Sequence, residues 1–172
     1  QSMNVYAYCF YNSGGTTSQV FGKINAPAGG IGHATVSCPA GSVVTGGGYA
    51  SSDVFNVYNS SKDGNGWQVW AENHAGTSKQ LNAYAICLSG TGATSSSVLI
   101  SGSIPANSTK QVSSECPSGS FLTGGGFAAN PDLLIYNVSM TLGSPHTWRT
   151  FVRNSTGSDL TLFNYAICLT YP

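Results

Sequence analysis

Charge is what this sequence has least of. Asp, Glu, Lys and Arg make up 7% of its 172 residues, six basic against six acidic, where a globular domain usually carries about a quarter. Without a basic patch there is nothing to neutralise phosphates, so nucleic-acid binding is excluded. Attraction to an anionic membrane surface fails for the same reason. No apolar run approaches the roughly 18 residues that would insert as a membrane-spanning helix. No CxxC occurs, and His33, His74 and His146 follow no common spacing, so no metal site and no cofactor is expected.

Convergent catalytic groups are scarce too. The carboxylates are Asp53, Asp63, Glu72, Glu115, Asp132 and Asp159, mostly in turn-like contexts where Asp serves the backbone. No nucleophile-elbow motif is present. The expectation is that the protein is not an enzyme.

What is present is bulk for a core: 41% hydrophobic residues, with nine Tyr, seven Phe and three Trp. That much buried area argues against disorder. Five Cys, few charges and a start at Gln1 without a leader fit a mature exported protein, secreted to the extracellular space or the cell surface. Sequons at Asn59, Asn107, Asn137 and Asn154 are no more than a Ser/Thr-rich chain produces by chance.

The organising feature is a repeat. "CPAGSVVTGGGYA" opens at Cys38 and "CPSGSFLTGGGFA" at Cys116, 78 positions later; the same offset carries Cys9 to Cys87 and Tyr58 to Tyr136. Beyond Tyr136 it becomes 81, carrying Trp67 to Trp148 and Cys87 to Cys168, so three residues are inserted between Tyr136 and Trp148. Alternating and β-branched segments such as "SQVFGKI", "GWQVWAEN", "DLLIYNVSM" and "LTLFNYAICL" are separated by Gly, Pro, Asn and Ser, the pattern of strands and turns. The fold expected is all-β: two tandem antiparallel sandwich- or barrel-like repeats, residues 1–80 and 81–172, stapled by disulfides and packed separately or as one pseudo-symmetric domain.

Two disulfide schemes respect the repeat. Cys9–Cys38 with Cys87–Cys116 spans 29 positions twice and leaves Cys168 as a free or inter-chain thiol. Cys38–Cys87 with Cys116–Cys168 spans 49 and 52 and leaves Cys9 over. The equal spacing favours the first. "TGGG" lacks the Lys-Ser/Thr of a phosphate loop; three positions without Cβ instead suit close packing or a bulge, with Trp67 and Trp148 as lids.

The alternation of "AYAICL" or "NYAICL" with "CPAGSVVTGGG" or "CPSGSFLTGGG", with a Trp-led strand between, resembles secreted tandem β-repeat proteins of actinobacteria and related soil bacteria. The resemblance covers nearly the whole chain. It implies export and tandem β-repeats, and no particular activity or site.

On the strand from Trp67, one face reads Trp67, Val69, Ala71, Asn73 and the other Gln68, Trp70, Glu72, His74; the second repeat gives Trp148, Thr150, Val152 against Arg149, Phe151, Arg153. An aromatic among polar neighbours marks a subunit interface, a sugar platform or a second packed layer. The candidate residues are therefore Trp70, Glu72, Asn73, Phe151, Arg153 and Asn154. Low charge, an odd cysteine and end strands of one type point to self-assembly as an extracellular filament, surface or adhesive subunit. A lectin-like module binding glycans is the alternative.

Overall fold

A computed structural model describes residues 14–141 and 146–172. These residues form twelve strands and no helix. The first six are β1 (Thr16–Ala26), β2 (Ile31–Ser37), β3 (Ser42–Ser51), β4 (Phe55–Asp63), β5 (Gly66–Asn73) and β6 (Lys79–Ser89). Their counterparts follow in the same order as β7 (Thr94–Ile104), β8 (Ser108–Glu115), β9 (Phe121–Ala129), β10 (Leu133–Met140), β11 (Thr147–Asn154) and β12 (Leu160–Thr170).

All pairing is antiparallel. One sheet has the order β1-β6-β3 and another β10-β11-β8; the third has six strands, β2-β5-β4-β9-β12-β7. Adding six to each strand of β1-β6-β3 gives β7-β12-β9, and to β2-β5-β4 gives β8-β11-β10, so each unit is built from the same two trios. The six-stranded sheet fuses β2-β5-β4 of the first unit to β9-β12-β7 of the second through two pairs, Asn59↔Ala128 and Ser60↔Phe127. The sheets are open, not closed barrels. Because β6 pairs with β1 and β3, a division at residue 80 falls inside a strand of the first unit.

Side chains alternate as a half-buried strand requires. In β5, Trp67, Val69, Ala71 and Asn73 are buried, while Gln68, Trp70 and Glu72 are only partly covered. The core of the first unit gathers Ala34, Val44, Trp67, Val69, Leu81 and Ala85. That of the second gathers Ile104, Val112, Phe127, Leu133, Val152 and Leu162.

The repeated phrase divides into three devices. Pro39–Ser42 is a turn in which Ser42 N–H donates to Pro39 O at 3.2 Å and Gly41 has φ 79°; Ser120 to Pro117 O at 3.1 Å, with Gly119 at φ 84°, repeats it. A positive φ at that place is where Gly costs least. Next, Thr45 and Thr123 are skipped in the ladders, each a bulge. Their hydroxyls donate to Ile86 O and Ile167 O, both at 3.2 Å, which holds the bulge in place. Finally, a Cβ on Gly47 or Gly125 would collide with the indole of Trp67 or Trp148 and with the carbonyl of Tyr84 or Tyr165. The glycines are lidded by tryptophan, as the sequence suggests. They nevertheless lie within strands β3 and β9, which sequence reasoning does not assign because Gly is depleted in strands.

The disulfides correct an expectation. The bonds are Cys38–Cys87 and Cys116–Cys168, each with Cα atoms 5.6 Å apart. Cys168 is neither a free thiol nor an inter-chain link, and Cys9, the odd cysteine, lies outside the described residues. Each bond runs from the turn after β2 or β8 to the central strand β6 or β12, pinning the two trios of its own unit together. The separations of 49 and 52 differ by the three-residue insertion, which falls between β10 and β11.

Candidate functional site

Where the two units fuse, register lines up one row across the six-stranded sheet: His33↔Trp70, Trp70↔Asn59, Asn59↔Ala128, Ala128↔Phe163. Residues in register project from the same face of a sheet. Large aromatics therefore stand at β5 and β12, with a small amide and a methyl on the strands between. The result is a trough of about 550 Å³ walled by Trp70 and Phe163 and floored by Asn59 and Ala128. Tyr58, Asn130, Asp159 and Thr161 line it as well.

Trp70 is held from two sides. His33 stacks on it with centroids 3.8 Å apart and planes 15° from parallel. Its indole Nε1–H donates to Gln68 Oε1 at 3.1 Å. Phe163 is exposed. Tyr58 keeps its phenolic proton beyond the ordinary range, first through burial and then through the Glu72 carboxylate, so it is available as a donor. Asp159 accepts from Ala106 N–H at 3.0 Å through one oxygen.

Of the sequence candidates, Trp70 is in the trough. Glu72 lies two residues along the same strand, taking Asn56 Nδ2–H at 3.4 Å and standing 3.7 Å from His74 Nε2. Asn56 also donates to Pro131 O at 2.8 Å, so this corner ties the units together.

Asn73 and Asn154 are not surface groups. Asn73 is buried, donating to Pro27 O at 2.9 Å and Thr77 O at 3.0 Å while its Oδ1 accepts Ala75 N–H at 3.0 Å. Asn154 is buried in the same way, on Ile104 O at 3.0 Å, Ser158 O at 2.8 Å and Thr156 N–H at 2.9 Å. A buried amide with both ends satisfied stabilises a turn and cannot reach a ligand. For the same reason the sequon at Asn154 is closed to glycosylation.

Phe151 packs beside Tyr136, centroids 6.3 Å apart, and Arg153 is exposed; neither enters the trough. The trough is composite, with lining residues from both units. Its other half, Phe163, Asn130, Asp159 and Thr161, was missed by sequence reasoning. One signal was available: Phe163 stands where the first unit has Asn82, an aromatic added to the central strand of the second unit alone.

Among the described residues no group of three or more His, Cys, Asp or Glu side chains could hold a metal ion, and no helix is long and apolar enough to cross a membrane. Compared with protein-family models and with curated proteins, the chain matches none.

Proposed function

We propose that the protein is a non-catalytic, secreted β-repeat subunit that works by assembly, as part of a filament, a surface layer or an adhesive coat. The observation that carries this reading is the character of its surface. Among the described residues eleven large hydrophobic side chains are exposed, including Leu134, Tyr136 and Val138 on one strand, in a chain with only twelve charged residues and no net charge. Scattered exposed apolar groups are ordinary, but an uncharged strand with apolar side chains exposed on both of its faces is what a partner covers. Low net charge also removes the repulsion that keeps chains apart. Two disulfides fit an oxidising, extracellular setting, in keeping with the resemblance to secreted bacterial tandem repeats.

Electron microscopy of the unreduced protein tests the reading. Ordered filaments or sheets are expected, and dispersed particles of monomer size would refute it.

A second reading, glycan binding, is favoured by the trough. Aromatic walls with Asn, Asp, Thr and Tyr groups between them suit the apolar face and hydroxyl edge of a pyranose. Trp70→Ala should abolish retention on a glycan array while leaving the melting transition in place. Unchanged retention would discard the site.

A further inference from the structure

The junction inside the chain is made by β4 of the first unit and β9 of the second. Among the described residues their counterparts, β10 and β3, each have one strand partner: β3 pairs with β6, and β10 with β11. The described residues thus carry one completed junction and the two unpaired halves of another. We infer that a second copy of this chain docks head to tail, its β3 edge adding to the β10 edge of the first. This rests on the assembly reading above and names its contact.

Burial at matched positions shows what each half is missing. In the completed junction Ser60 and Phe127 are cross-strand partners, and each is only 4% exposed. Their counterparts are Val138, 78 positions after Ser60, and Tyr49, 78 before Phe127. Val138 is 41% and Tyr49 45% exposed. Both belong to core faces, since Val138 lies opposite buried Thr150 and Tyr49 opposite buried Ala83. Among the described residues no further strand pairs beside either of them.

The backbone agrees. A Cβ at Gly126 would strike Ser60 O, whereas at Gly48, its counterpart, nothing lies within 4 Å. Ile167 is fully buried in the core cluster of the first unit, while the matching Ile86 is 36% exposed. Neither β3 nor β10 contains a Lys, Arg, Asp, Glu or Pro, the residues that ordinarily guard an edge against pairing. The internal junction supplies the register: Asn137 opposite Ala50 and Val138 opposite Tyr49, the second an apolar pair where the internal one is Ser with Phe. Because the two surfaces differ, the contact is heterologous and propagates into a ring or an open filament.

The test uses the full chain with Cys9→Ser. Tyr49→Cys and Val138→Cys are made as separate proteins and oxidised alone and mixed. Disulfide dimers on non-reducing gels are expected only in the mixture, because each single variant lacks the facing thiol. In parallel, Val138→Lys should raise the concentration needed for assembly about tenfold or more, by burying an unpaired charge on the edge. It should leave the melting transition unchanged. Wild-type protein that assembles, with no mixed dimer and with Val138→Lys assembling normally, overturns the edge assignment alone. Dimers of one variant by itself overturn the head-to-tail geometry. Wild-type protein that stays monomeric at high concentration overturns this inference together with the assembly reading.

Discussion

The first and second units share strand order, turns, bulges, tryptophan lids and disulfides, yet matched residues live in different surroundings. Tyr49 is open to solvent and Phe127 is not; Ile86 is open and Ile167 is not. Local sequence is nearly the same in these places, so burial follows from which neighbour is present. The units also differ inside. Where the first has Val36, Val69 and Ala83, the second has Ser114, Thr150 and Asn164. There Thr150 Oγ1–H donates to Asn164 Oδ1 at 2.6 Å, Asn164 Nδ2–H donates to Ser114 Oγ at 2.8 Å and Trp148 O at 3.1 Å, and Ser114 Oγ–H donates to Asn164 O at 2.9 Å. Every hydrogen-bonding group of the amide is used, which lets three polar residues replace three apolar ones without an orphan. A repeat therefore conserves the frame more tightly than the contents of its core.

The comparison can be broken most severely at the disulfides. Replacing Cys38 and Cys87 by Ala, or Cys116 and Cys168 by Ala, should cost about 4 kcal/mol in either unit by the chain-entropy argument, read as a fall in denaturant midpoint. Near-equal losses would show that the staple acts alike in both units.

Gly47→Ala and Gly125→Ala come next. Each Cβ would collide with an indole and a carbonyl, at about 2–3 kcal/mol for an overpacked site. Gly125→Ala should cost more, since Gly125 is buried and Gly47 lies on the open edge. Equal midpoints would contradict the contrast drawn between the two edges.

Asn164→Ala should cost about 2 kcal/mol, because Thr150 and Ser114 lose their buried partner. The matching change Ala83→Asn buries an amide among Val36 and Val69 with no such partners, and should destabilise by a similar or larger amount. Chemical denaturation of both variants checks the pair.

The smallest effect is alkaline. Burial raises the phenols of Tyr49 and Tyr165, and burial with the Glu72 carboxylate raises that of Tyr58. Folded values above the unfolded 10.0 mean that the unfolded chain loses these protons first. Their contribution is whole below about pH 10 and is lost as pH rises through the folded values. Melting followed between pH 8 and pH 11 should show the fall only at the upper end, and Tyr49→Phe should lessen it.

Much of the frame was legible beforehand. The alternation from Trp67 to Asn73 correctly gave the core face of β5, and the indole lids over glycine followed from one Trp per repeat. Strands β3 and β9 were not legible, because Gly supplies no side-chain pattern; those segments are strands through their ladders with β6 and β12. The cysteine pairing misled because equal spacing is a property of the chain, whereas bonding depends on which strand passes beneath the turn after β2 or β8. Asn154 looks like a surface amide by type, and Asn73 reads as a ligand group although the alternation puts it on the core face; closure of their turns makes both buried supports. The trough was half hidden for a related reason: Phe163 joins Trp70 only through β4 and β9, whose pairing no local pattern announces.

The most direct test is sedimentation velocity of the unreduced wild-type protein and of Val138→Lys across a wide concentration range. The wild type should shift to progressively larger species as concentration rises, while the variant stays near the 17.7 kDa monomer. Two monomeric boundaries at every concentration would contradict the claim that the open edges are there to be filled.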